Sequence, residues 1–156
     1  MIKLRKFKKT DSENVAFLIF NTYKKFNSKE FIKKSAIQEY LNFYDTAKNS
    51  NEQLYKRFLK TPIFFIVIEN NKIIGMIRGT SERIVNLFVE GRKHKKGIGR
   101  LLVNKFELEA KNQNSKEIKI RASLFATSFY QKMGYKKTTG IRNFRGLKIQ
   151  PMKKKM

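Results

Sequence analysis

The spacing of apolar residues changes once along the chain, near residue 60. Before that point, Ile2–Phe7 alternates apolar and basic residues and predicts a strand, after which apolar residues recur at helical spacing. Thr10 and Glu13 have the spacing of a capping box, which is typical of a helix start. The predicted helices run from the cap at Thr10 to about Phe26, from a cap at Ser28 to about Ala47, and over the short stretch Asn51–Leu59.

From Ile63 onward the pattern is that of strands interleaved with two helices. Two apolar runs are joined by Asn70-Asn71, residues that tolerate the positive φ of a hairpin turn. The predicted strands are Ile63–Glu69, Lys72–Gly79, Arg83–Glu90, Glu117–Ala122 and two near Tyr135–Thr139 and Phe144–Met152; the helices are Gly97–Asn112 and Leu124–Met133. The order β-α-α-β-β-β-α-β-α-β-β predicts an α/β fold with a mixed sheet.

Composition narrows the class of protein. The 156 residues, 40% of them hydrophobic, suit one domain over residues 1–156. No apolar run approaches the ~18 residues of a membrane span, and the N-terminus lacks a signal peptide's apolar segment. Since there is no cysteine to form disulfides, we expect a soluble cytoplasmic protein.

The scarcity of certain side chains excludes some chemistry. One histidine, no cysteine and 12 acidic residues predict that there is no metal site. A Cys-His pair cannot form, and a Ser-His-Asp triad would have to use His94.

The net charge of +24 has two interpretations. It favours polyanionic partners such as nucleic acid. It also fits a lysine-rich composition, because the lysines are scattered along the whole chain. A nucleic-acid-binding module would bring a recognisable motif, but the sequence shows no helix-turn-helix, zinc finger or RNP-type pattern.

The segment HKKGIGRLLV (His94–Val103) follows the predicted strand Ile84–Glu90 and opens a helix. A dinucleotide fingerprint needs a third glycine where Leu102 stands, and a Walker A loop needs Lys-Ser/Thr directly after Gly99. What remains, Gly-X-Gly between strand and helix, suits either a packing turn or a pyrophosphate cradle made of backbone N–H groups and basic side chains.

Three segments together resemble the GNAT superfamily of acyl-CoA-dependent N-acyltransferases. LFVEGRKHKKGIGRLL is similar to its motif A, a strand followed by (Gln/Arg)-x-x-Gly-x-(Gly/Ala) at a helix start. ASLFATSFYQKMGYKK is similar to the "A-x-x-F-Y-x-x-x-G-F/Y" helix, and GLKIQPMKK to the "PM-x-K" last strand. The resemblance implies an acyl-CoA N-acyltransferase fold, with a mixed, mostly antiparallel central sheet flanked by helices.

The resemblance also assigns roles to residues. The Leu87 backbone N–H matches the oxyanion donor, and Tyr130 matches the tyrosine that protonates the leaving thiolate. The strand matches the one that pairs with the pantetheine arm, and the loop and helix start match the pyrophosphate site. The implied cofactor-binding residues are Leu87, Phe88, Val89, His94, Lys95, Lys96, Gly97, Ile98, Gly99, Arg100 and Tyr130.

The sequence departs from the family pattern at three positions. His94 stands where Gln or Arg is usual, and Ser123 where many members have an asparagine that contacts the cofactor. Arg83 occupies the place of a catalytic glutamate. Its neighbour Glu82 is a candidate general base, although one residue along a strand points to the opposite face. A bound water or a carboxylate elsewhere is the alternative.

The function implied by the resemblance is direct transfer of an acetyl group from acetyl-CoA to a primary amine, without a metal, a membrane or a covalent intermediate. Two alternatives stay open: a basic nucleic-acid-binding module, and a degenerate acyl-CoA-binding protein. The acceptor would lie between the N-terminal helices (Ser12–Leu59) and the last two strands. A basic surface favours a neutral or acidic amine there, and a homodimer is left open.

Overall fold

The computed structural model describes residues 1–93 and 96–156 of the chain. The strands are β1 (Ile2–Lys6), β2 (Ile63–Glu69), β3 (Lys72–Thr80), β4 (Arg83–Val89), β5 (Glu117–Ser123), β6 (Lys136–Lys137), β7 (Arg142–Phe144) and β8 (Leu147–Lys155). The α-helices are α1 (Ser12–Thr22), α2 (Lys34–Tyr44), α3 (Asn51–Phe58), α4 (Ile98–Asn112) and α5 (Thr127–Lys132). None of the helices in the described ranges is long and apolar enough to cross a membrane.

The strands form one mixed sheet in the order β1-β2-β3-β4-β5-β8-β6, and β7 also pairs with β8. The β4–β5 pair is parallel, and the other strand pairs are antiparallel. The predicted fold class, a mixed and mostly antiparallel sheet flanked by helices, is therefore confirmed.

Both faces of the sheet are covered, which explains why the apolar run of β2 does not alternate. On one face, Phe65 and Val67 join a core with α4 and α5. On the opposite face, Phe64 and Ile66 join a second core with the three N-terminal helices. We call this second face the N-terminal face. The sheet thus lies between two hydrophobic layers.

The first two helices begin later than predicted, because other hydrogen bonds from side chains and from distant backbone replace the expected caps. The first helix begins at Ser12, and Thr10 lies in a 3₁₀ turn. The Asp11 carboxylate accepts the Lys8 N–H at 2.9 Å and two Arg5 N–H groups at 2.8 and 2.9 Å. These bonds to a buried carboxylate fix the turn that precedes the helix.

The second helix begins at Lys34, six residues after the predicted cap at Ser28. Phe31 is extended and bridges to Leu147, and the Ile32 N–H donates to the Gly146 carbonyl at 2.8 Å. A tertiary contact with the last hairpin therefore overrides the helical spacing.

The C-terminal segment forms three strands where two were predicted. Arg145 and Gly146 have φ of 53° and 84° and form the tight turn between β7 and β8. A Cβ at Gly146 would lie 2.5 Å from the Ala36 Cβ. This glycine therefore serves both the turn and the close approach of α2.

Candidate active site

Two neighbouring central strands, β4 and β5, separate beside the predicted site. The parallel pairing of β4 with β5 ends after Arg83↔Lys119 and Ile84↔Ile120, although β4 stays paired with β3 as far as Val89. A bulge at Val85, where the register with β3 shifts, marks the point of separation. Beyond Ile84, β4 therefore faces a gap on its β5 side.

The ladder between β3 and β4 decides which backbone groups face that gap. The Glu90 N–H donates to the Ile74 carbonyl at 2.8 Å, so this is a hydrogen-bonded pair. In an antiparallel ladder such pairs alternate, which directs the groups of Phe88 toward β3 and those of Leu87 and Val89 away from it. The N–H of Leu87 thus points into the gap between β4 and β5.

The two glycines of the loop have different structural roles. Gly97 has φ of 81° and precedes the first residue of α4. A Cβ at Gly99 would lie 3.1 and 3.2 Å from ring atoms of Phe129 on α5, so this glycine allows the two helices to approach. Gly99 therefore has a packing role, while Gly97 supplies the left-handed conformation that few other residues adopt.

The start of α4 has the features of an anion site. The first intrahelical bond runs from the Leu101 N–H to the Gly97 carbonyl at 3.0 Å, which leaves the N–H groups of Ile98, Gly99 and Arg100 without a helical partner. The first turn carries no acidic residue, and Lys96 and Arg100 are exposed beside it. The predicted loop residues His94 and Lys95 lie outside the described residues.

Tyr130 on α5 is buried in the core on the α4 side of the sheet, 3% exposed. Its ring makes edge contacts with Phe129 and Tyr135. The Tyr130 hydroxyl has no hydrogen-bond partner among the described residues. Within residues 1–93 and 96–156, every fully buried side-chain oxygen has a partner, so the Tyr130 oxygen keeps some accessible surface. Burial raises the pKa of Tyr130 well above its ordinary value, and the phenol stays protonated at neutral pH.

Comparison with known proteins identifies the family. Residues 23–156 match the family model described as an acetyltransferase (GNAT) domain. The chain belongs to the GNAT family. A comparison with curated proteins gave no match.

Solved structures share the GNAT fold of this chain. A GCN5-related N-acetyltransferase from Rhodopseudomonas palustris has a TM-score of 0.80 at 17% identity, covering 99% of this chain and 95% of that one. The PaiA N-acetyltransferase from Thermoplasma acidophilum, solved in complex with coenzyme A, has a TM-score of 0.76 at 20% identity, covering 100% and 99%. A GNAT acetyltransferase from Staphylococcus aureus Mu50 has a TM-score of 0.74 at 17% identity, covering 99% of both chains.

Glu82, the candidate base of this GNAT domain, is exposed in the turn between β3 and β4. Its N–H donates to the Thr80 hydroxyl at 3.3 Å, and its carbonyl accepts the Lys119 N–H at 2.8 Å. Leu87 is five residues further on, roughly 16 Å at ~3.3 Å per residue. The Glu82 carboxylate is therefore at the far end of β4 from the Leu87 N–H.

Ser123 caps the turn that leads to α5. Its hydroxyl accepts the Ala126 N–H at 3.2 Å, and its carbonyl accepts the Thr127 hydroxyl at 3.0 Å. The hydroxyl proton is still free to donate, but the side chain is held by its capping role.

The segment after α1 crosses the open end of the gap. Phe26 lies against Gly91, which follows β4, and its ring is 5.2 Å from that of Phe125, which follows β5. The Glu30 carboxylate accepts the Phe125 N–H at 2.5 Å and the Asn27 amide at 3.1 Å. The N-terminal segment therefore joins the two sides of the gap, a contact that no sequence pattern predicts.

The sequence pattern also did not predict a buried arginine on the N-terminal face. Arg78 of β3 is 6% exposed. It donates to Asn86 at 2.6 Å, to Tyr44 at 3.1 Å and to Thr61 at 3.3 Å, all neutral groups. Its place on a strand gave no sign that three other segments of the chain would supply neutral partners for its charge.

Proposed function

We propose that the chain transfers an acetyl group from acetyl-CoA to a primary amine, directly and within a ternary complex. The observation that supports this most strongly is the gap between β4 and β5, with the Leu87 N–H directed into it and the start of α4 at its open end. Placing both reactants in one cleft removes much of the entropic cost of their encounter.

The loop and α4 supply the groups that an acidic pyrophosphate requires. Backbone N–H groups of Gly97, Ile98 and Gly99, together with Lys96 and Arg100, form a positive concavity. We assign His94 and Lys95 to the same loop on the basis of the sequence resemblance. The coenzyme A bound to the PaiA neighbour supports a CoA-based donor for this fold.

The strand β4 would position the thioester. The Leu87 backbone is directed into the gap, where it would pair with an extended pantetheine arm, and its neighbour Phe88 is anchored by its side chain. The sequence resemblance adds Val89 to the same strand site. The Leu87 N–H would donate to the oxygen that becomes negative as the amine attacks. Such a donor acts most strongly in a site from which water is excluded.

Proton transfer needs an acid for the leaving sulfur and a base for the amine. Tyr130 is proposed as the acid, because its phenol is protonated and its oxygen retains access. Since Glu82 is distant from Leu87, we propose it as a base only through intervening water molecules.

We also propose that residues 1–156 form one cytoplasmic N-acetyltransferase domain. Formation of a homodimer would be compatible with this single domain. The sheet supports a single domain, because β1 and β8 belong to the same sheet. The nucleic-acid alternative predicts instead that binding to DNA or RNA is tight and steeply salt-dependent.

Calorimetric titration with acetyl-CoA tests the proposal. We expect saturable binding that Arg100→Gln weakens about fivefold or more, since it removes one charge at the anion site. Lys111→Gln is the matched control, because it removes an equal exposed charge from the other end of α4. Absence of binding to the native chain would refute the proposal.

Turnover is measured separately with a panel of amines and detection of free CoA thiol. Release of thiol that depends on the amine supports an acetyltransferase. Tight acetyl-CoA binding with no turnover on any amine would favour the degenerate acyl-CoA-binding protein instead.

A further inference from the structure

Three arginines converge on the N-terminal face, where β4 and β5 part. The Arg121 guanidinium of β5 lies 4.3 Å from the centre of the Phe144 ring, and that of Arg145 lies 5.2 Å from the same ring. Arg83 of β4 is paired with Lys119, which lies two residues before Arg121 on the same face of β5. Burial lowers the pKa of Arg83, and the nearby charge of Arg121 lowers it further. We call Arg83, Arg121 and Arg145 the arginine cluster.

The cluster has no counter-charge in the described parts of the chain. None of its members forms an ion pair with a described carboxylate, whereas Arg5 is paired with Asp11. Arg121 and Arg145 are exposed and Arg83 is half-buried, so water and salt screen part of their mutual repulsion, and a bound anion would relieve the rest. The arrangement therefore has the electrostatic character of an anion site.

Residue type distinguishes the cluster from the general basicity of the chain. Of 36 basic residues, 27 are lysines and nine are arginines. Lys119 of β5 also stands here, opposite Arg83, so the cluster is defined by its three arginines and not by a lack of lysine. Arginine differs in presenting a planar fork of N–H donors that matches a carboxylate or phosphate with two parallel bonds.

The cluster lies close to the proposed point of reaction. Arg121 directly follows Ile120, the last β5 residue that pairs with β4. If the register continued, Arg121 would stand opposite Val85, two residues or about 7 Å along the strand from Leu87. The cluster is therefore at the closed end of the gap, opposite the start of α4.

Aromatic side chains connect the cluster to β4. The Phe31 ring is 5.2 Å from that of Tyr40, and Phe31 bridges to Leu147 of the hairpin that carries Arg145. The Tyr40 ring is 5.2 Å from that of Tyr23, which in turn is 5.0 Å from Phe88, the neighbour of Leu87. A series of ring contacts thus runs from the hairpin that carries Arg145 to the strand at which transfer would occur.

We propose that the acceptor is a small amine that carries a carboxylate or phosphate, and that the arginine cluster binds this anionic group. The inference rests on the proposed acetyltransferase function, because it concerns the acceptor of that reaction. Binding of the anion at the closed end of the gap would hold the amine beside the thioester carbonyl near Leu87.

Anion binding is tested on the CoA-saturated protein, in which the start of α4 is already occupied. Inorganic phosphate and succinate are titrated at constant ionic strength, and the NMR signals of the arginine Nε–H groups are followed. We expect one or both anions to shift the Arg121 signal saturably, and the stronger of the two identifies the preferred group.

Three variants separate a specific site from general basicity. Arg121→Gln should weaken anion affinity at the remaining cluster signals tenfold or more, and Arg121→Lys should restore only part of it because the fork is lost. Lys111→Gln should change the affinity less than twofold, since Lys111 is exposed in the last turn of α4 and is not part of the cluster. No saturable shift, or equal losses in Arg121→Gln and Lys111→Gln, would overturn the inference.

Kinetics then connect the site to the acceptor. Among amines that accept the acetyl group, kcat/KM for an anionic amine should exceed that of its neutral amide or alcohol by tenfold or more, and Arg121→Gln should abolish the difference. Equal values for both would also overturn the inference. Failure of CoA to bind refutes the proposed function, whereas CoA binding without any anion response refutes the acceptor class alone.

Discussion

Two neighbouring tyrosines should respond in opposite ways to loss of the hydroxyl group. Tyr130 makes no hydrogen bond to a described residue, whereas the Tyr135 hydroxyl donates to the buried Glu107 carboxylate at 2.8 Å. Their rings are 5.5 Å apart in the same core, so Phe replacement removes one oxygen from nearly the same surroundings.

The magnitudes follow from these contacts. Tyr130→Phe should change the free energy of unfolding by no more than about 0.5 kcal/mol, while kcat falls about 100-fold as the proposed acid is lost. Tyr135→Phe removes a hydrogen bond to a charged group and should cost about 1.5–3 kcal/mol. Glu107 would keep its bond from Lys154, 3.0 Å away. For a domain of this size, that cost lowers Tm by roughly 3–12 °C.

Both quantities are measured on the same preparations. Denaturant unfolding gives the free energy, steady-state turnover with the best amine of the panel gives kcat, and calorimetry gives the Kd for acetyl-CoA. The Kd of Tyr130→Phe should stay within about twofold of the native value, since the proposed acid acts on the leaving sulfur. Native kcat in Tyr130→Phe, or equal loss of stability in both variants, would refute the assignment.

Three further predictions concern the loop, the first turn and the sheet. Gly97→Ala should cost about 1–2 kcal/mol of folding free energy and weaken acetyl-CoA binding, because φ there is 81°; unfolding and calorimetry measure the two effects. Burial would raise the pKa of Asp11, but bonds from Arg5 and Lys8 outweigh this and lower it, so Asp11→Asn should destabilise the protein at pH 7 and progressively less below about pH 4, as measured by unfolding against pH. Gly79→Ala should cost about 3 kcal/mol or more, measured by thermal unfolding, since its Cβ would lie 2.0 Å from the Arg83 carbonyl oxygen.

Each of these predictions has an outcome that contradicts it. Gly140→Ala is the control for both glycine variants, because a Cβ there meets nothing within 4 Å. Equal stability of Gly79→Ala and Gly140→Ala would show that the backbone relaxes without cost. Unaltered acetyl-CoA affinity in Gly97→Ala would argue against the loop conformation as part of the site. A loss from Asp11→Asn that is as large at pH 3 as at pH 7 would mean that the ionised carboxylate is not what stabilises the turn.

Features carried by adjacent residues were predictable from the sequence. The third helix has its capping box at Ser50 and Gln53, and the hairpin turn at Asn70-Asn71 adopts the predicted positive φ, 50° and 62°. Gly134, which directly follows the predicted helix Leu124–Met133, has φ of 95°. These features depend on backbone preferences and on side chains within one turn, which the local sequence contains.

Features that join distant residues were not predictable in this way. The start of α2 depends on Phe31 pairing with Leu147, and the role of Gly99 depends on the Phe129 ring. The arginine cluster combines residues of β4, β5 and the last hairpin, whose separation along the chain conceals their proximity.

The amino-acid order was sufficient for the type and sequence of most elements, for the fold class and, through three short motifs, for the family resemblance. It did not reveal the separation of β4 from β5, the direction of the Leu87 N–H or the convergence of the arginines. The reason is physical: periodicity, caps and turns are properties of neighbouring residues, whereas strand register and the meeting of charges arise when remote segments pack together.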